Sequence, residues 1–135
     1  MTIFYRVEVP PPHEDARRII TDCVLGHEVP FGIRQIKIID FKASGMVVGN
    51  HYHTVKSGRE EFFIAIGPPD VVLFTYRWRV SQEEVQERKM RAGDACHIVP
   101  PCSHSFRVEH PQAKLWGLAN MAYDAAHDVP DKLFE

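Results

Sequence analysis

Two histidines one residue apart, His51 and His53 in GNHYH, are the first residues whose spacing suggests chemistry. Side chains of an extended strand alternate with a period of two, so both imidazoles share a face and Tyr52 takes the other. Two imidazoles on one face can share an ion or a proton. With eight His in 135 residues, an H-x-H pair readily arises by chance, so further constraint is needed. It comes from a strand that opens at Glu60 and places Glu60, Phe62, Ile64 and Ile66 on one face. If the two strands form a hairpin across TVKSGR, Glu60 returns beside His53. His104 follows the loop Pro100-Pro101-Cys102-Ser103 and can project into the same cavity. Three imidazoles and a carboxylate suit borderline first-row divalent ions, namely Zn, Fe, Mn, Co or Ni. His51 and His53 are also candidate catalytic groups, able to carry a proton without any ion. Arg34, Tyr76 and Trp78 are candidate substrate contacts; only two of the four residues Tyr76 to Arg79 can face inward on one strand.

These groups must be positioned by a mostly β chain. Short β-branched and aromatic segments recur between Gly and Pro, and helical periodicity is weak. Strands are expected at about 3–9, 18–25, 33–42, 46–53, 60–66, 71–80, 85–91, 95–99, 104–109 and 114–121, the pattern of a sandwich or closed barrel. In SQEEVQERKM a turn followed by an edge strand is preferred to a helix, which would show only Val85 and Met90 as widely spaced apolar groups. The length fits a single domain, 1–135, large enough to fold without a structural metal. Apolar residues make up 44% and the formal charge is −2, which argues against disorder and against a nucleic-acid partner. Cys23, Cys96 and Cys102 form no even framework and are expected to stay as thiols. No export signal is visible and no apolar run nears the roughly 18 residues that span a bilayer, so a cytoplasmic protein with no membrane partner is expected. The N-terminal strands within 1–30 lack a local hairpin partner, and their pairing across a subunit interface would give a homodimer.

The segment 45–67, GMVVGNHYHTVKSGREEFFIAIG, resembles the first motif of the cupin superfamily, G-x5-H-x-H-x3or4-E-x6-G. Gly45, His51, His53, Glu60 and Gly67 take the named positions, with six residues rather than three or four between His53 and Glu60. The segment 93–108 carries GDACHIVPPCSH, which resembles the second motif, G-x5-P-x-G-x2-H, with the Gly-to-His distance kept and Val99 and Pro101 at the Pro and Gly positions. Outside the motifs, VPFGIRQIKIIDF and LWGLANMAYDAAHDVPD resemble nucleotide-sugar isomerase and epimerase cupins of surface-polysaccharide biosynthesis. Val48 stands where such isomerases usually carry an Arg. The resemblance implies an all-β, single-domain jelly-roll β-sandwich barrel, an RmlC-like cupin, with a metal, when present, on His51, His53, Glu60 and His104.

The chemistry implied is polarisation of a carbonyl or hydroxyl of a small-molecule substrate, followed by proton removal and return, as in a sugar or nucleotide-sugar isomerase or epimerase. A redox-active ion on the same ligands would instead suit a dioxygenase, and a non-catalytic small-molecule-binding protein is the third class. His13, His27, His110 and His127 read as solvated loop residues, and His97 as a core or supporting residue.

Overall fold

The computed structural model describes the whole chain, Met1–Glu135. Its strands are β1 Thr2–Arg6, β2 His13–Glu14, β3 Ile19–Ile20, β4 Gln35–Asp40, β5 Val47–His53, β6 Glu61–Ile66, β7 Val72–Arg79, β8 Gln86–Arg91, β9 Asp94–Ile98, β10 Ser103–Val108, β11 Lys114–Ala119 and β12 Asp128–Pro130. One sheet has the order β1-β9-β6-β11-β4 and the other β12-β5-β10-β7-β8, with β2-β3 as a separate small hairpin. Consecutive strands such as β4 and β5 lie in different sheets, which gives the antiparallel sandwich a jelly-roll course. No helix is long and apolar enough to cross a membrane.

Between the sheets lies the main core, in which Phe63 and Cys96 of one sheet meet Phe74, Tyr76 and Phe106 of the other. Phe63 and Phe106 pack edge-to-face with centroids 5.3 Å apart. A second core lies on the outer face of the first sheet, where Phe62, Ile64 and Ile66 are covered by Val7 and by Val9, Cys23, Val29 and Phe31 of the N-terminal segment. This explains the all-apolar run after Glu61, because a strand covered on both faces needs no alternation. All six residues of β6 are buried.

The strand expected at 18–25 is present only as Ile19–Ile20, paired with His13–Glu14. Ahead of it, the Asp15 carboxylate accepts the backbone N–H groups of Arg17 and Arg18, closing a turn that ends regular pairing. β1 pairs with β9 of the same chain and forms the border of its sheet, with its other edge unpaired. After the turn at Ser81, β8 forms the edge strand expected there, and four of its first five residues are charged or amide side chains exposed along the sheet border. β12 had no counterpart among the expected strands; it pairs with β5.

Candidate functional site

β5 delivers His51 and His53 to the interior after an irregularity in its pairing with β10, between His104 and Ser105. Gly49 adopts φ 99° and Asn50 φ 56°. A Cβ on Gly49 would sit 2.6 Å from the His104 carbonyl oxygen, so only glycine lets β5 approach β10 here. The Asn50 side-chain oxygen accepts the backbone N–H groups of Leu133 and Phe134, which holds the C-terminal segment against the same kink. His104 stands opposite His51 on β10. Glu61 arrives from the first sheet, at the start of β6.

The ligand-capable atoms of His51, His53, Glu61 and His104 all lie within 4.8 Å of one another. Ligand bonds of about 2.1 Å place the donors around one ion about 3–4 Å apart, so little contraction would close a coordination shell. His104 donates from Nδ1 to the Cys102 carbonyl at 2.9 Å, a group that can only accept, which leaves Nε2 with its lone pair. His51 turns Nδ1 to Asp128 Oδ1 at 2.9 Å, and Asp128 Oδ2 in turn accepts the Tyr123 hydroxyl at 2.5 Å. The Nε2 atoms of His51 and His104 then face each other at 3.1 Å. His53 Nε2 and Glu61 Oε1 lie 3.0 Å apart, yet neither has an aligned hydrogen-bond partner. Four groups that can each offer an electron pair thus converge, an arrangement that a bound cation satisfies once the proton shared by the two Nε2 atoms is released.

Burial, then the neighbouring His104, lowers the His51 pKa to about 4, so its imidazole is neutral at neutral pH. Burial pushes the Glu61 carboxyl upward, but the closeness of the His104 and then the His53 imidazole outweighs it and holds the group well below the usual carboxylate range. Arg59, itself buried, reaches Glu61 Oε2 at 3.2 Å and also donates to the Met121 carbonyl and to Gln35 Oε1. The second carboxylate oxygen is thereby tied back, and Oε1 is turned toward the histidines.

The carboxylate expected at the site was Glu60, and the structure places Glu61 there instead. Glu60 faces outward, as do Phe62, Ile64 and Ile66, and its Oε1 meets His97 Nε2 at 2.7 Å. Phe62, Ile64 and Ile66, expected on one face with the site's carboxylate, thus lie on the face turned away from the cluster, and the apolar residues beside it include Phe63, Phe106 and Leu115. Because β6 is apolar on both faces, its pattern could not tell which alternation faced inward. Tyr76 is fully buried, with its hydroxyl on Thr2 Oγ1 at 2.9 Å, and Trp78 packs on Tyr76 and Phe4. Arg34 is exposed just before β4. None of these three lines the cavity at the cluster. Asp128, Tyr123 and Arg59 are the residues the sequence reading missed. Their contacts are made across the fold, and spacing gives no sign of them.

A cavity of about 140 Å³ opens against the cluster. Ile39, Val48, Phe63, Phe106 and Leu115 form its apolar wall, and Lys37 and Tyr123 supply further polar groups. No protein-family model matches the sequence, nor does any curated protein. Solved structures do. QdtA, a sugar 3,4-ketoisomerase from Thermoanaerobacterium thermosaccharolyticum solved with TDP, superposes with a TM-score of 0.70 at 15% identity, over 95% of this chain and 86% of that one. The chain has a cupin fold. WlaRA, a TDP-fucose-3,4-ketoisomerase from Campylobacter jejuni, superposes on it with a TM-score of 0.69 at 16% identity, over 96% of this chain and 89% of its own. ChmJ, a 3'-monoepimerase from Streptomyces bikiniensis solved with dTDP-quinovose, gives 0.69 at 15%, over 96% and 68%.

Proposed function

We propose that this cupin holds one divalent first-row transition ion on His51, His53, Glu61 and His104 and acts as an isomerase or epimerase on a small carbonyl- or hydroxyl-bearing molecule, with a sugar or nucleotide sugar as the substrate class that its structural neighbours support. The observation that carries the reading is the convergence of four donor atoms within 4.8 Å, two of them buried without an aligned partner. The ion would supply Lewis acidity to a substrate oxygen, making a neighbouring C–H more acidic. The chain's own residues do the rest. Arg59 and Cys102 orient Glu61 and His104, and the apolar wall limits water around the reacting carbon.

One contact favours a second, metal-free reading. The Asp128 carboxylate, 2.9 Å from Nδ1 of His51, would stabilise the imidazolium formed when the substrate gives up a proton to Nε2. Tyr123, which gives its one hydroxyl proton to the same carboxylate, stands at the cavity wall where its oxygen can accept a hydrogen bond from a substrate hydroxyl. In this version His51 is the base and the cluster needs no ion.

Elemental analysis of untagged protein, beside a His51→Ala, His53→Ala double variant, separates the two. The metal reading expects close to one equivalent in the wild type and loss in the variant; metal retained unchanged by the variant would overturn it. If neither protein takes up metal on reconstitution, while Asp128→Asn abolishes hydrogen–deuterium exchange at the carbon next to the carbonyl of a TDP-4-keto-sugar, the metal-free reading stands.

A further inference from the structure

Lys37 is the only one of the six lysines that is not exposed. Lys89 donates to Thr75, and Lys114 pairs with Asp40, but the Lys37 ammonium has neither a carboxylate nor a hydrogen-bond acceptor in reach. A half-buried cation without a partner is costly, and here it lines the same cavity as the His51, His53, Glu61 and His104 cluster.

Its position follows from the sheet. Lys37 of β4 is opposite Gly117 of β11, which in turn is opposite Phe63 of β6. A Cβ on Gly117 would approach Phe63 Cε1 to 2.7 Å and Lys37 Cβ to 3.6 Å. The Phe63 ring therefore occupies the space that a side chain at 117 would fill, and Lys37 lies beside it on the inner face, one row away from Glu61. Strands are about 4.8 Å apart, so a lysine stem running over Gly117 toward Phe63 brings its ammonium to the cavity at the cluster.

The size of the cavity limits what the ammonium can hold. A cavity of about 150 Å³ takes a molecule of benzene's size, roughly six heavy atoms. The space here, about 140 Å³, is of that order, far below the roughly 300–1,000 Å³ that encloses a drug-sized ligand. A cation facing an ion-binding cluster across so short a span suits a molecule with an anionic group at one end and an oxygen donor next to it. Charge agrees, since an ion of charge +2 with Glu61 and Lys37 leaves the loaded cavity positive.

We propose that Lys37 anchors the carboxylate of a small oxo- or hydroxy-acid of three or four carbons, whose adjacent carbonyl or hydroxyl oxygen faces the histidine cluster. The proposal rests on the cluster being an ion site and keeps the small carbonyl- or hydroxyl-bearing molecule of that reading, but puts a compact monoanion in place of the sugar, with Lys37 as its specificity determinant.

The test is calorimetric binding to the zinc-loaded protein, with pyruvate and acetoacetate as acids, methyl pyruvate as the neutral counterpart, and inorganic phosphate and TDP as other anions. Lys37→Met keeps the stem and removes the charge; Lys37→Arg keeps the charge. Pyruvate or acetoacetate is expected to bind the wild type at least tenfold more tightly than Lys37→Met, with the arginine variant in between and methyl pyruvate indifferent to all three. Equal binding of the acids to wild type and Lys37→Met overturns the assignment, as does binding of methyl pyruvate as tight as that of pyruvate. Binding of TDP or phosphate that depends on Lys37, with none of the oxo-acids, also overturns it and assigns the ammonium to a phosphate. Zinc content measured on the same samples separates this failure from that of the ion site, because a protein that retains no zinc fails the earlier reading.

Discussion

Adjacent carboxylates at 60 and 61 give the sharpest test of how the site is built. Glu61→Gln preserves shape and leaves an acceptor for Arg59, but removes the charge that offsets a guanidinium with 2% of its side chain exposed. Breaking a buried charge pair costs about 3–5 kcal/mol, and the retained amide carbonyl places this change near the lower end. With an unfolding entropy of about 2 cal/mol/K per residue, about 3 kcal/mol lowers Tm by about 10 °C for a chain of 135 residues. The effect on metal is larger in proportion. Partners that only orient a ligand are worth about 10–100-fold in metal affinity, so removing a ligating carboxylate should weaken binding by more than about 100-fold. Glu60→Gln changes a group that is 30% exposed and bonded outward to His97, and a loss under about 1 kcal/mol is expected there. Both variants should be melted without metal, then titrated with zinc against a competing chelator. The reasoning is refuted if Glu60→Gln loses as much zinc affinity as Glu61→Gln, or if Glu61→Gln binds as the wild type does.

Three further outcomes follow from the same contacts. Asp128→Asn should lower zinc affinity by about 10–100-fold while leaving the fold intact, read by chelator competition and by an unchanged denaturation midpoint. Gly49→Ala forces a Cβ to 2.6 Å from the His104 carbonyl oxygen at a φ of 99°, and should destabilise by at least about 2 kcal/mol in urea with an unchanged m-value. Asp131, held below its ordinary pKa first by the Arg79 hydrogen bond and further by Ser103, contributes stability that is present above the unfolded value of 3.8 and lost as pH falls through the lower folded value. Asp131→Asn should therefore be less stable than the wild type at pH 7, and the two midpoints should converge below about pH 3, as measured by urea denaturation across that range.

Much of the architecture was legible because its signals are local. The Pro and Gly positions that end strands, and the charged border of β8, need nothing beyond their own segments, and the jelly-roll followed from the motif segments around His51 and His104. The His-x-His pair was placed correctly because a period of two holds whatever the rest of the chain does. Glu61 was missed for the opposite reason. Choosing between Glu60 and Glu61 needs to be known which face of β6 looks inward, and that depends on a coat formed by residues some thirty to fifty positions earlier. Asp128 was invisible for a similar reason, since its contact with His51 spans most of the chain and runs through a three-residue strand too short to announce itself. Lys37 sits in an alternating strand whose outward residues, Ile36 and Ile38, are the apolar ones, an inversion that sequence periodicity reads backward.

That doubly covered strand has one more consequence. A slip of β6 by one residue would exchange Phe62, Ile64 and Ile66 for Phe63 and Ala65, an apolar swap that hydrophobic burial alone resists weakly. The slip would also carry Glu61 away from Arg59 into the coat and turn Glu60 away from His97 toward the cavity. The two acids, one for each face, therefore work as a two-toothed key, and the alignment of the central strand is set by charge where greasy side chains could not decide it.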